Sequence, residues 1–147
     1  MEGGGGYSTP TDRLPFLAFH DIYNRRDWAR IEAIIAPEQR YLDVPFGRTL
    51  VGPAGIREFF GVWADAFPDS RAEINELYAG DKHVVDLFTF RGTHTGPLVG
   101  PAGTIAATGR TVELAGCFFF EHRGGRLVAS RNYYDLTTIL RQLGVVA

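Results

Sequence analysis

The stretch RAEINELYAGDKHVVDLFTFR, residues 71–91, decides the fold class. Apolar and polar residues alternate on both sides of Gly80-Asp81, a dipeptide typical of tight turns, so the stretch predicts two antiparallel strands. Two more strand patterns, at residues 110–122 and 126–135, are joined by Gly124-Gly125. We therefore expect the second half of the chain to form a long-stranded antiparallel sheet.

Helical patterns precede this sheet. Apolar residues recur at helical spacing in residues 14–23 and again in residues 28–35, where Pro37 is expected to stop the second helix. A third helix is predicted to start at Gly52 and to end before Pro68, because its apolar residues fall on one face. These residues are Ile56, Phe59, Phe60, Trp63 and Phe67.

Two short strands are expected between the second and third helices. Residues 40–44 and 48–51 have strand patterns and flank the turn signal Pro45-Phe46-Gly47. Helices first and a sheet afterwards predict an α+β domain, with the N-terminal helices packed on a curved mixed or antiparallel sheet.

Composition limits the classes of function. The 147 residues fit one domain, which we place at residues 14–147 after a flexible glycine-rich tail at residues 1–13. A net charge of −2 gives no electrostatic footprint for nucleic acid or an anionic membrane. Cys117 is the single cysteine, so we expect a small buried hydrophobe with no disulfide. With no membrane-length apolar stretch and no signal-peptide pattern, a cytoplasmic protein is expected.

Residues 92–109 are rich in glycine and proline and predict a long loop. Its apolar residues, Leu98 among them, have no strand or helix in which to pack. We therefore expect the loop to act as a lid that covers an apolar ligand.

Three aspartates are candidate site residues, and each has two interpretations. Asp86 lies in an aromatic row. It is either a structural residue, at an exposed edge or bonded to a neighbouring backbone N–H, or a carboxylate in a pocket. Asp135 ends the last strand and is either a helix cap or functional. Asp43 lies in an otherwise apolar strand and either starts a turn or faces a pocket.

Histidines and tyrosines are the other candidates. His94 lies at the mouth of the loop, where it either contacts a ligand or pins the loop to the sheet. His20 is expected to be a packing or surface histidine. Tyr23 and Tyr41 are either core aromatics or proton donors. The histidines lack metal-ligand spacing, so no metal site is expected.

Four sequence blocks in one order carry a family resemblance: Ala66-Phe67-Pro68-Asp69, the run from Phe90 to Pro97, Thr108-Gly109-Arg110-Thr111-Val112, and Asp135 followed by residues 140–144. Together they resemble the SnoaL-like polyketide cyclases of the nuclear transport factor 2-like superfamily, over about residues 14–144. The resemblance implies a cone-shaped α+β barrel that encloses an apolar pocket, commonly in a homodimer or higher oligomer.

The resemblance also implies chemistry. In those cyclases an aspartate at the end of the last long strand is the acid/base of an intramolecular aldol closure, and the matching position is Asp135, which favours catalysis over capping. The segment around Asp43 is similar to the one that carries the base in ketosteroid isomerases. We therefore expect a cofactor-independent cyclase or isomerase of secondary metabolism, acting on a small apolar or polycyclic substrate.

Two alternatives stay open at this point: an enzyme that opens epoxides with two carboxylates, and a non-catalytic small-molecule-binding protein. The predicted catalytic residues are Asp135, Asp86, His94 and Asp43. The predicted substrate-binding residues are Tyr23, Tyr41, Trp63, Phe88, Phe90, Leu98, Phe118, Phe120, Asn132 and Tyr134.

Overall fold

The computed structural model describes residues 10–146, with side chains from Ala18 onward. The helices are α1 (Pro10–Arg25), α2 (Ile31–Ile34), α3 (Gly52–Ala66) and α4 (Leu136–Gln142), with a 3₁₀ turn at Trp28–Arg30. The strands are β1 (Ile35–Asp43), β2 (Arg48–Val51), β3 (Arg71–Ala79), β4 (His83–Thr93), β5 (Leu98–Gly100), β6 (Gly103–Ile105), β7 (Thr111–Arg123) and β8 (Arg126–Tyr134). The predicted tail lies outside the described residues up to residue 9, and its remaining residues belong to α1.

Six of these strands form one curved sheet in the order β2-β1-β8-β7-β4-β3. All neighbours are antiparallel except β1 and β8, which are parallel. The helices pack on this sheet, which confirms the predicted α+β class. The sheet is open between β2 and β3, so the described strands do not close into the barrel that the family resemblance implies.

Helix α3 follows the prediction closely. Its apolar stripe, Ile56, Phe59, Phe60 and Trp63, is buried, and the helix packs against β1. Pro53 lies in its first turn, where the missing N–H costs no hydrogen bond. Helix α3 therefore forms one wall of the core, opposite the inner face of the sheet.

The segment before β1 differs from the prediction. The expected second helix is reduced to the 3₁₀ turn and one turn of α2, and β1 already begins at Ile35. Pro37 therefore lies inside a strand. The β1–β8 register shifts between Ile35 and Arg40, so Pro37 sits in a bulge where the ladder does not need its absent N–H.

The predicted loop at residues 92–109 contains a small hairpin, β5–β6. Leu98 is buried in the hydrophobic core, and β5 packs against α3. Each strand of this hairpin has only three residues and includes a glycine, and a proline lies between the strands. The sequence pattern therefore did not predict the hairpin. Within the described part of the chain, no helix is long and apolar enough to cross a membrane.

Candidate active site

A small cavity of ≈ 50 Å³ lies between α1, α3 and the inner face of the sheet. Its lining is mostly aromatic: Phe19, His20 and Tyr23 from α1, Phe59, Phe60 and Trp63 from α3, and Ala72, Phe88, Phe90, Leu114, Phe118, Asn132 and Tyr134 from the strands. An engineered cavity of about 150 Å³ admits benzene. A ligand as large as benzene would therefore have to widen this cavity in order to bind in it.

A histidine and an aspartate meet at one side of the cavity. His20 Nε2 lies 2.8 Å from Asp86 Oδ2, and both side chains are almost fully buried. Asp86 Oδ1 has no hydrogen-bond partner among the described residues. Since a buried carboxyl group is costly without a partner, His20 is the contact that compensates the burial of Asp86.

The strand pattern explains how Asp86 reaches this place. Alternation along β4 turns Val84, Asp86, Phe88 and Phe90 inward, as predicted. Asp86 is therefore buried behind the cavity wall, where it contacts His20, and the interpretation as an exposed edge residue is wrong. His20, expected to be a packing or surface residue, is its partner. The missed signal is that His20 lies three residues before Tyr23 on the apolar stripe of α1.

A second polar pair lies at the ends of β1 and β8. The Tyr134 hydroxyl donates to Asp43 Oδ1 at 2.9 Å. The parallel register sets Asp43 beside Asn132, which brings the carboxyl group next to the cavity wall without lining it. Asp43 is thus a buried polar group and not only the start of a turn. Burial raises the pKa of Asp43, although the Tyr134 hydroxyl and Arg48 oppose the shift.

The tyrosines around the cavity are all held as neutral phenols. Burial is the first cause of a raised pKa at Tyr134 and at Tyr41, and the negative charge of Asp43 adds to it. Burial also raises the pKa of Tyr23 to about 12, and its hydroxyl lies 2.6 Å from Ser70 Oγ. At neutral pH these side chains keep their protons and can donate hydrogen bonds.

His94 lies outside the cavity. Its Nδ1 accepts the Thr108 backbone N–H at 3.1 Å and lies 2.9 Å from the Thr108 hydroxyl. Its ring is buried against Phe67. The two ends of the 92–109 segment are therefore joined by His94, which agrees with the loop-pinning alternative and not with contact to a ligand in this cavity. Burial lowers the pKa of the imidazole.

Asp135 also lies outside the cavity, and its predicted catalytic role has to be corrected on geometry. The carboxylate is exposed and accepts hydrogen bonds from the Thr137 backbone N–H and the Thr138 hydroxyl, both at 3.0 Å. Asp135 is the N-cap of α4. Its side chain is committed to the helix end and is not placed to exchange a proton with a ligand in the cavity.

Most of the predicted substrate-binding residues are brought together. Seven line the cavity: Tyr23, Trp63, Phe88, Phe90, Phe118, Asn132 and Tyr134. Tyr41, Leu98 and Phe120 are buried but do not line it. The aromatic residues Phe19, Phe59 and Phe60 were missed as lining residues, because helical periodicity marks a buried face without showing which part of that face borders a void.

A glycine in β7 keeps the cavity wall close to the sheet. Gly116 pairs with Phe88 across β4 and β7. A Cβ atom built on Gly116 would lie 2.3 Å from the Phe88 ring. Only glycine therefore lets Phe88 lie flat against the strand, where its ring lines the cavity.

Residues suited to a metal ion are not gathered at this site. Among the described side chains, residues 18–146, no group of three or more His, Cys, Asp or Glu is arranged to hold one. The chemistry available from the described residues is that of a histidine held by an aspartate, a tyrosine held by a second aspartate, and further donors in an aromatic cavity.

A family model described as "SnoaL-like polyketide cyclase" matches residues 16–143. No curated protein matches the chain. Among solved structures, TsrD from Streptomyces laurentii is 24% identical with a TM-score of 0.79, covering 95% of this chain and 98% of its own. IdmH from Streptomyces antibioticus, described as a candidate polyketide cyclase, is 23% identical with a TM-score of 0.77 over 90% and 98% of the two chains.

AclR from Streptomyces galilaeus, described as a candidate hydroxylase, is 21% identical with a TM-score of 0.78, covering 95% of this chain and 100% of its own. At these identities the likeness to solved structures establishes the fold. The family rests on the model that spans nearly the whole chain.

Proposed function

Because the chain belongs to the SnoaL-like polyketide cyclase family, we propose that it is a cofactor-independent cyclase or isomerase that moves protons on an apolar carbonyl substrate. The observation that carries the proposal is the His20–Asp86 pair: the two side chains are 2.8 Å apart, and His20 lines an aromatic cavity. We further expect a homodimer in the cytoplasm, with a role in secondary metabolism such as antibiotic biosynthesis.

The proposed acid/base is His20. Asp86 accepts the Nε2 proton, fixes the tautomer and leaves Nδ1 as the basic nitrogen. This arrangement stabilises the imidazolium that forms when the ring takes up a proton. Asp86 is a positioning residue in this scheme, because it acts through His20 and does not line the cavity.

The proposed reaction is an aldol closure in which every proton is accounted for. His20 removes a proton from the carbon next to a carbonyl group, and the C–H electron pair becomes an enolate. The enolate carbon forms a C–C bond with a second carbonyl carbon of the same substrate, whose π electrons move to oxygen. The new alkoxide takes the proton back from the imidazolium. The aromatic walls exclude the water that would otherwise solvate the enolate.

The Tyr134–Asp43 pair is proposed to stabilise the oxygen that gains charge. In the resting arrangement the Tyr134 hydroxyl donates to Asp43. A proton on Asp43 would let the carboxyl group donate to Tyr134 instead. The tyrosine O–H is then free to turn to the substrate oxygen, and Asn132 offers a neighbouring amide.

One observation favours epoxide opening as a second candidate. The two buried carboxyl groups, Asp86 and Asp43, each contact a different side chain of the cavity wall. His20 could then take a proton from a water molecule as the water oxygen bonds to an epoxide carbon and the C–O bond breaks. Tyr134 protonates the leaving oxygen and regains a proton when the imidazolium loses its own through solvent. Turnover in ¹⁸O-labelled water distinguishes the two candidates. Epoxide hydrolysis adds one oxygen atom from water to a carbon of the product, whereas the new hydroxyl group of an aldol closure keeps the oxygen of the substrate carbonyl.

Proton transfer is tested by deuterium incorporation at the α-carbon of 2-tetralone in D₂O, followed by NMR. We expect the protein to accelerate the exchange and His20→Gln to lose about 10²–10⁴-fold of that acceleration, the usual contribution of a positioned acid/base. Asp135→Asn is the matched control, since it alters an exposed carboxylate, and it should keep the full rate. Exchange no faster than in buffer would favour the non-catalytic binding protein.

A further inference from the structure

One side chain of the cavity wall has a hydrogen-bonding atom without a partner. Asn132 is the only amide among the residues that line the cavity, and it is 4% exposed. Its Oδ1 is buried and makes no hydrogen bond to any described residue. Because a buried carbonyl oxygen without a partner is costly, this atom in a cavity wall calls for a ligand group that pairs with it.

Tyr41 lies beside the other end of the Asn132 amide. Its hydroxyl group is fully buried and also forms no hydrogen bond with the described residues. Burial and the charge of Asp43 raise the pKa of Tyr41, and the Asn132 amide opposes the rise. The N–H end of an amide is the end that stabilises a phenolate, so this end faces Tyr41 without completing a hydrogen bond. Oδ1 is left for another group.

The sheet register places Asn132 on the opposite side of Phe118 from the proposed acid/base. Phe118 pairs with Asp86 on one neighbouring strand and with Asn132 on the other, and neighbouring strands are about 4.8 Å apart. His20, which contacts Asp86, is T-shaped to the Phe118 ring with centroids 5.5 Å apart. A ligand that rests on the Phe118 ring can therefore contact His20 on one side and Asn132 on the other.

The unpaired atom determines which kind of ligand group fits. Oδ1 of an asparagine accepts hydrogen bonds and cannot donate them. The oxygen of a ketone also only accepts, so it would leave Oδ1 unpaired, whereas a hydroxyl group donates its proton to Oδ1. An ammonium group also donates, but it would bring a charge into an almost wholly apolar wall.

Resting on the proposed function, we infer that Asn132 binds a hydroxyl group of the substrate, on the far side of Phe118 from the carbon that His20 deprotonates. The substrate class is then a carbonyl compound that also carries a hydroxyl or enol group. Asn132 is the residue that distinguishes it from a simple ketone. Tyr41 is a positioning residue, because it acts through the orientation of the Asn132 amide.

The test compares two probes of nearly equal shape, phenol and fluorobenzene. Phenol has a planar C–O–H group like that of an enol, and fluorobenzene has no O–H. Both have to widen the cavity to the same extent, so the ratio of their dissociation constants reports on the hydroxyl group. In NMR titrations Asn132→Val should lower the preference for phenol by about three- to tenfold, as expected for the loss of one hydrogen bond. Asn75→Val, at an exposed position of β3, is the matched control and should keep the wild-type ratio.

Two further variants keep the test decisive if valine is not tolerated at Asn132. The carboxyl group introduced by Asn132→Asp has an accepting oxygen in both protonation states, so the preference for phenol should survive. Tyr41→Phe removes the group that faces the N–H end of the amide, so the preference should fall. The melting temperature of Tyr41→Phe should not fall, because the hydroxyl group has no hydrogen bond to lose.

An unchanged ratio in Asn132→Val, as expected if a bound water molecule already satisfies Oδ1, would overturn the inference, as would a preference lost in Asn132→Asp. An unchanged ratio in Tyr41→Phe would overturn the positioning role of Tyr41. A preference for phenol without deuterium exchange of 2-tetralone would refute the proposed catalysis and leave the hydroxyl site standing. Exchange without that preference would do the reverse.

Discussion

The Tyr134 hydroxyl and the Asp43 carboxyl group form a 2.9 Å hydrogen bond between residues 91 positions apart in the chain. Asp43 does not line the cavity, but Tyr134 does. A buried carboxyl group is therefore connected to the cavity through a phenol, and its protonation state determines in which direction the bond between them is donated.

Asp43→Asn should relieve a stability cost that depends on pH. Burial raises the pKa of Asp43 in the folded protein above its usual value of 3.8. Between the two values the folded state binds more protons, so unfolding free energy falls as the pH rises through the folded pKa. The amide that replaces the carboxyl group does not titrate. In urea titrations the unfolding free energy of the variant, relative to that of the wild type, should increase as the pH rises. Below about pH 4 this difference should not change with pH.

Removing His20 should be more costly than neutralising Asp86. His20→Phe leaves the buried Asp86 carboxyl group without its partner, and loss of one member of a buried pair costs about 3–5 kcal/mol. Asp86→Asn keeps the volume and an oxygen that can accept the imidazole N–H, so the loss should be about 1 kcal/mol. Equal losses of unfolding free energy in the two variants would contradict this role of the pair.

Acid should loosen the contact between His94 and Thr108. Burial lowers the pKa of His94 below 6.5, so the folded state disfavours the proton and the contribution of His94 to stability is lost as the pH falls from 6.5 through the folded pKa. Protonation at Nδ1 would also remove the acceptor of the Thr108 N–H. In His94→Asn the amide oxygen replaces Nδ1 without titrating, so its melting temperature should fall less than the wild type's between pH 7.5 and 5.

Gly116→Ala should destabilise the protein and disturb the cavity together. The new Cβ would clash with the Phe88 ring, and overpacking of this kind costs about 1–3 kcal/mol. Phe88→Leu in the same chain removes the ring and should restore part of the loss. If thermal unfolding shows the two changes to be additive, the Gly116–Phe88 contact is not the cause.

Substitutions at Asp135 distinguish a helix-capping role from a catalytic role. Asp135→Ala should lose about 1 kcal/mol of unfolding free energy, while Asp135→Asn, which caps about as well, should lose almost nothing. Neither variant should change the rate of deuterium exchange in 2-tetralone. A loss of exchange in Asp135→Asn at unchanged stability would restore the role implied by the family resemblance.

The sequence predicts the sheet and the long helix because their signals are periodic and local. Alternation along β4 and the stripe from Ile56 to Trp63 are both found in the structure. In β3 the predicted alternation is interrupted by a register shift between Ile74 and Glu76, so Tyr78 is exposed. The start of β1 could not be predicted, since Pro37 is a strong helix stop and the bulge that accommodates it depends on pairing with β8, far along the chain.

The site was predictable only in part. Aromatic residues on inward faces were identified correctly, because burial follows periodicity. The partnership of His20 with Asp86 was not, since the two residues are 66 positions apart and meet only when α1 packs on β4. Asp135 shows the opposite error: its motif position suggests catalysis, while the adjacent Thr137 and Thr138 use its carboxylate as a cap.

The parallel pairing of β1 with β8 also determines when the site can form during synthesis. Closing a loop of that length is entropically unfavourable, and long-range pairings of this kind slow folding. A nascent chain that ends before Arg126 already contains β1 and β7 but lacks the strand that lies between them in the sheet. Both strands then expose unpaired backbone N–H and C=O groups along one edge, a template for aggregation. The time needed to synthesise and pair the last strand therefore determines how long the new chain is exposed to aggregation before it folds.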